Sequence, residues 1–289
     1  MTRIFQLSLF FTLAMPLHGQ DMGHINGLDA RHFQIVRDLD TIDFIKIDNS
    51  TSYKKPVFVM LQGSLPIPLI IKDGKSSQLT SFPYDYQEVV KTHHIINISM
   101  PDLPLVVDAL HIKSNGTMRA PPLAYNRNNY LDNYVRRLHA VLDFLLDQTW
   151  VDPSGFILLG HSQGSSVAIK CASQRADISV IGLSACNPLG RFEAKIRRTR
   201  LAEQKGELSS VDAQIRISEL YDEWKYYSDY RNDDTREKGD TNKATFSFSE
   251  NFIDDLLIIN KPIYIMYGSR DVSAVASDCL LYTSPSPRD

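Results

Sequence analysis

A chain of 289 residues, 43% of them hydrophobic and 22% charged, carries enough apolar material for one sizeable core. Its net charge of −3 provides no basic excess to neutralise a phosphate backbone, so nucleic acid is not an expected partner.

The first twenty residues differ from the rest. Arg3 is a short positive start, residues 4–17 are nearly all apolar, and His18-Gly19-Gln20 then turn small or polar. That is the pattern of a secretory signal peptide over residues 1–20, cut near Gly19 or Gln20. The apolar run is shorter than the roughly 20 residues a membrane span needs. Export to a periplasm or the outside is expected, with no stable span once the signal is removed. Cys171 and Cys186 could then be joined, although their settings suit two small buried thiols better.

Residues 21–278 read as one domain. Asp40 to Asp48 alternates around Phe44, Ile45 and Ile47, which predicts an early strand ended by Asn49-Ser50-Thr51. Pro56 opens Val57-Phe58-Val59-Met60-Leu61, a continuous apolar run that suits a strand buried on both faces. It delivers Gln62-Gly63-Ser64 and then Leu65-Pro66-Ile67-Pro68, through which no helix can run. A further strand is predicted over 94–98, a weaker strand or turn over 106–112, and a loop over 113–129.

Residues 130–148 predict a helix, with Leu131, Val135, Leu138, Leu142, Leu145 and Leu146 on one stripe and Asn128 or Asn129 as its cap. A strand over 156–159, a helix over 165–172 and a strand over 178–183 follow. The rhythm then breaks. Residues 187–255 are long, charged and predicted to hold two helices, the second striped by Leu208, Val211, Ile215, Leu220, Trp224 and Tyr227, followed by a loop at 231–243. Such a segment reads as an inserted cap. Pro262 opens the last strand, Ile263-Tyr264-Ile265-Met266-Tyr267, which ends in Gly268-Ser269-Arg270-Asp271. Alternating strands and helices imply an α/β fold with a mostly parallel central sheet and right-handed crossovers.

Residues 279–289 change abruptly to Ser and Pro without any amphipathic period. The string matches the in-frame translation of a transposon-end sequencing adapter, so it is set apart from the fold, and the natural chain is expected to continue past Asp278.

Chemistry concentrates at Gly160-His161-Ser162-Gln163-Gly164, between the 156–159 strand and the helix after it. A serine at the tip of a strained strand-turn-helix crowds the residues two before and two after it, so those places need glycine. Such a serine needs a base to take its proton. An acid must then sit on a loop at the same sheet edge; Asp271 meets that requirement, and Asp278, next to the 279–289 string, is the weaker candidate.

Taken together, Gly160-His161-Ser162-Gln163-Gly164, Gln62-Gly63-Ser64 and Tyr267-Gly268-Ser269-Arg270-Asp271 resemble the α/β-hydrolase superfamily over about residues 40–278. The resemblance implies Ser162 as nucleophile, Asp271 as the acid, and an oxyanion hole from the backbone N–H groups of Gln163 and Ser64, with Gly63 allowing close approach. It also implies a histidine after the acid. All eight histidines lie at or before residue 161, so that base is absent from this chain and is expected in its natural continuation. The ring of His161 is expected to point away from the nucleophile.

The implied activity is hydrolysis of a small ester, an amide or a short peptide through an acyl-enzyme, without metal or other cofactor. No His/Cys/Asp group has zinc spacing, and no glycine pattern suits a nucleotide. The alternative is a non-catalytic binding protein built on the same scaffold.

Overall fold

The computed structural model describes residues 19–49, 53–80, 85–236, 239–268, 270–271 and 277. The expected signal up to residue 18 and the 279–289 tail lie outside them. Three antiparallel strands come first: β1 (Gln20–Ile25), β2 (Leu28–Arg37) and β3 (Asp40–Asp48). Then β4 (Lys55–Leu61) is followed by the short β5 (Ile70–Asp73) and β6 (Ser76–Leu79), the helix α1 (Tyr86–Thr92), β7 (His94–Ile98) and β8 (Val106–Asp108).

Helices α2 (Leu123–Asn128) and α3 (Leu131–Leu146) lead into β9 (Val151–His161), α4 (Gln163–Gln174) and β10 (Ile178–Ser184). Four helices occupy the next segment: α5 (Arg191–Gln204), α6 (Ser210–Asp229), α7 (Asn242–Ser247) and α8 (Ile253–Ile258). β11 (Ile263–Met266) closes the series.

The large sheet has the order β1-β2-β3-β7-β4-β9-β10-β11, parallel from β7 to β11 and antiparallel at the N-terminal edge. The period of two decides what each face buries. On β3, Ile42 and Phe44 join the core with α3 and α4, whereas Ile45 and Ile47 face the opposite way, toward β5, β6 and α1. On β7, Ile96 and Ile98 take the first face and Ile95 the second. β5 and β6 pair with β8 as a separate three-stranded sheet.

Several sequence expectations change. The 113–129 loop contains α2, and the weak 106–112 strand is three residues followed by a single 3-10 turn. Neither Asn128 nor Asn129 caps α3. Its first amide, Leu131 N–H, instead donates to Ser247 Oγ at 3.1 Å, a residue far along the chain. The buried face of α6 is Ala213, Ile217 and Leu220, which fall at helical spacing, and Val211 and Ile215 face solvent. Cys171 and Cys186 are free and buried, and burial pushes both thiols up to about 12.

A buried charge cluster pins the turn from antiparallel to parallel strands. Lys55 Nζ donates to Asp48 Oδ1 at 2.9 Å, Asn49 Oδ1 at 2.6 Å and the Val90 carbonyl at 2.7 Å. His94 Nδ1 lies 2.8 Å from Asp48 Oδ2, and its Nε2 donates to the Trp150 carbonyl at 3.0 Å. Lys46 Nζ reaches Asp48 Oδ2 at 3.1 Å and sits 4.6 Å over the Trp150 ring. Burial pushes the Asp48 carboxyl up, but hydrogen bonds from His94 and Lys55 and the charges around it outweigh burial and hold it well below the ordinary carboxylate range.

The cluster therefore stabilises the fold most fully above about pH 4, the unfolded carboxylate value. That contribution is lost as pH falls below this value toward the lower folded one. Asp48→Asn is expected to cost about 3 kcal/mol at neutral pH, because it leaves buried cations without their partner. Urea midpoints of wild type and variant, measured from pH 7 down to 3, should keep a constant gap above about pH 5 and begin to draw together below about pH 4; a gap that does not change with pH would exclude the cluster as the source.

The packing of α4 on β4 has no slack. A Cβ at Gly164 would lie 2.2 Å from the Leu61 carbonyl oxygen, and one at Gly160 would lie 2.3 Å from that of Gly164. Both obstacles are backbone, so neither can swing aside. Gly164→Ala is expected to lower stability by about 3 kcal/mol or to prevent folding, which a urea titration read by far-UV circular dichroism checks.

Candidate active site

The sheet order puts one crevice in a special place. The chain leaves β4 toward β7 on one side and returns to β9 on the other, so β4 and β9 flank the switch point of the parallel sheet. Ligands of open α/β sheets bind outside the carboxyl ends of such strands. Gly63-Ser64 follow β4 there, and Ser162 follows β9.

Ser162 has φ 51° and ψ −114°, a conformation that a residue with a Cβ holds only under constraint. The constraint is visible. Its own N–H donates to the Ser184 carbonyl of β10 at 2.7 Å, and its carbonyl accepts from Ser165 N–H at 3.0 Å. Ser165 Oγ in turn donates to the Gly160 carbonyl at 2.8 Å. These bonds tie the turn at both ends and leave the side chain partly exposed at the tip.

Gly63 borders the serine. A Cβ built on it would be 3.6 Å from Ser162 Cβ and 3.4 Å from His161 Cδ2. The Ser64 carbonyl accepts from Tyr125 Oη at 3.2 Å, which anchors the loop after β4 to α2. Gln163 starts α4, where the first amides have no acceptor within their own helix. Its buried side chain donates through Nε2 to Asn129 Oδ1 at 3.2 Å, and its Oε1 accepts from Arg191 Nη2 at 2.6 Å.

The His161 ring packs beside the loop after β4, where a Cβ built on Gly63 would lie 3.4 Å from its Cδ2, with Nδ1 3.1 Å from Ser184 Oγ. Burial lowers its pKa, opposed by the charge of Asp271. Asp271 follows β11, with its N–H donating to the Gly268 carbonyl at 2.9 Å. The structure thus gathers Gly63, His161 and Ser162, and sets Asp271 two strands over within electrostatic reach of His161. Among the described residues no group of His, Cys, Asp or Glu could hold a metal.

Sequence reasoning missed Tyr125, Asn129, Tyr134, Arg191 and Asp240. Asn129 Nδ2 bonds Asp240 Oδ1 at 3.1 Å across 111 residues, and no local pattern announces such a pair. Trp224 stacks on Phe246, with ring centroids 5.2 Å apart, beside a groove of about 520 Å³ that includes Phe192, Ile196 and Leu220. Tyr226 and Tyr230 pack on each other, with centroids 5.0 Å apart.

No family model matches the sequence, nor does the sequence of any curated protein. Among solved structures, a 2,6-dihydroxy-pseudo-oxynicotine hydrolase is similar at a TM-score of 0.53 and 17% identity, over 89% of this chain and 58% of its own. The acylaminoacyl peptidase of Pyrococcus horikoshii is similar at a TM-score of 0.53 and 13% identity, over 88% of this chain and 34% of its own. The chain therefore spans little over half of the first protein and about a third of the second. Likeness at such identity speaks to architecture, and what this chain has in common with them is an α/β-hydrolase-like fold.

Proposed function

We propose that the protein is a serine hydrolase that cleaves an ester or amide bond of a small molecule or short peptide through an acyl-enzyme on Ser162. The single observation that carries this reading is the constrained backbone of Ser162, φ 51°, beside Gly63, where an added Cβ would lie 3.6 Å from Ser162 Cβ across the switch-point crevice. Strain of this kind persists where the surrounding structure over-determines it, and at functional sites it aims a group.

In this reading Ser162 Oγ attacks the carbonyl carbon while a histidine takes its proton. The backbone N–H groups of Gln163 and Ser64 receive the developing oxyanion, each contributing about 3 kcal/mol to the transition state. Asp271 orients the histidine, which then returns the proton to the leaving alcohol or amine. Water repeats the cycle and releases the acid. This reading requires a histidine after Asp271. The helices between β10 and β11 form the cap, and the N-terminal signal exports the protein. No cofactor takes part.

The test uses the chain carrying its natural continuation. A fluorophosphonate probe is expected to label Ser162, and Ser162→Ala to end labelling. Label retained by that variant, or wild-type protein that stays unlabelled while folded, would favour a non-catalytic binding protein. Asp271→Asn is expected to lower ester turnover by about ten-thousand-fold, read by hydrolysis of nitrophenyl esters. A drop of less than tenfold would remove Asp271 from the proposed triad.

A further inference from the structure

Four side chains close a ring between the elbow and the segment that joins β10 to β11. Arg191, the first residue of α5, donates from Nη2 to Gln163 Oε1 at 2.6 Å and from Nη1 to Asp240 Oδ2 at 2.8 Å. Asp240 Oδ1 accepts from Asn129 Nδ2 at 3.1 Å. Asn129 Oδ1 accepts from Gln163 Nε2 at 3.2 Å, which closes the circuit, and also from Tyr134 Oη at 3.0 Å.

The ring has one polarity. A guanidinium only donates and a carboxylate only accepts. Arg191 therefore forces Gln163 to turn its oxygen outward and its NH₂ toward Asn129. Asp240 forces Asn129 to turn its NH₂ outward and its oxygen toward Gln163. Both amides are oriented by the charged pair, and both are buried, at 6% and 2% exposure. Neither has water to fall back on if the pair leaves. The Arg191 guanidinium is further held 5.0 Å over the Phe248 ring.

Two members of the ring, Arg191 and Asp240, come from the β10–β11 segment, and Gln163 follows the serine directly. We infer that Arg191, Asp240 and Asn129 are positioning residues that couple docking of the β10–β11 segment to the orientation of Gln163. With the segment docked, the Gln163 side chain is clamped and its peptide plane is fixed at the mouth of the crevice. With the segment lifted, both amides lose their orienting charges together. The kinetic consequence rests on the hydrolase reading above, because it takes the Gln163 N–H as an oxyanion donor; the coupling itself does not.

Asp240→Asn keeps the shape but breaks the polarity, and Arg191→Met keeps the length but removes the donors. Each is expected to raise amide hydrogen exchange in α7 and at the start of α5 by about tenfold, the scale of a buried polar group losing its partner. Exchange in the buried turns of α3 should stay as in wild type. The double variant should show little more than either single, since a ring already opened has nothing left to lose.

In the chain with its natural continuation, kcat for a nitrophenyl ester should fall about tenfold with KM within about twofold, the signature of an interaction made in the transition state. Unchanged exchange in both single variants, or effects that simply add in the double, would overturn the coupling. If the wild-type chain hydrolyses no ester, the hydrolase reading fails, and the exchange measurements by themselves decide the ring.

Discussion

Everything near the crevice depends on one contact between backbones. Gly164 lies against the Leu61 carbonyl so closely that a Cβ there would sit 2.2 Å from the oxygen. That contact lets α4 start directly above the end of β9, next to the end of β4. The turn between β9 and α4 is then too short for a relaxed serine, and Ser162 takes a positive φ. A larger residue at 164 would lift the helix, relax the turn and move the hydroxyl away from Gly63. Strain at the serine follows from close packing one turn of chain later.

That arrangement needs a rigid sheet below it. The buried residues of β3 and β7 divide between two cores by the period of two, so sliding either strand by one residue would reverse its faces. The Asp48–Lys55–His94 cluster adds a polar lock where antiparallel pairing gives way to parallel pairing. Buried charges of this sort contribute little net stability against an apolar replacement, but they penalise any misplacement strongly. Their value here lies in fixing which strands meet. A second lock, the Gln163–Asn129–Asp240–Arg191 ring, operates at the top of the sheet and joins elements far apart in the chain.

The parts of this fold legible in the sequence are those set by local repetition. Asp40–Asp48 alternates in sequence and forms β3 with those bounds. The apolar runs at 57–61, 94–98, 156–159 and 178–183 all lie within parallel strands, because a strand covered on both faces has no polar positions to break the run. Less legible were β1 and β2, whose polar, half-exposed faces lack a clean signal. The stripe of α6 was misread because Val211 and Ile215 are apolar yet exposed, and only the packed neighbour tells which face is inward.

By itself the sequence determined the elbow, since the glycines at 160 and 164 and the serine between them are a steric requirement written over five residues. It also determined β3, β4, β7, β9, β10 and β11 with the helices α3 and α4 in their order, and the position of an acid after β11. Tertiary structure alone decided that the His161 ring packs beside the loop after β4, that Ser247 rather than an asparagine serves the start of α3, and that Asn129, Arg191 and Asp240 converge on Gln163. The reason is range. Sterics and periodicity act between neighbours in the chain, whereas hydrogen bonds between side chains 28 to 111 residues apart exist only after the sheet and its helices have closed.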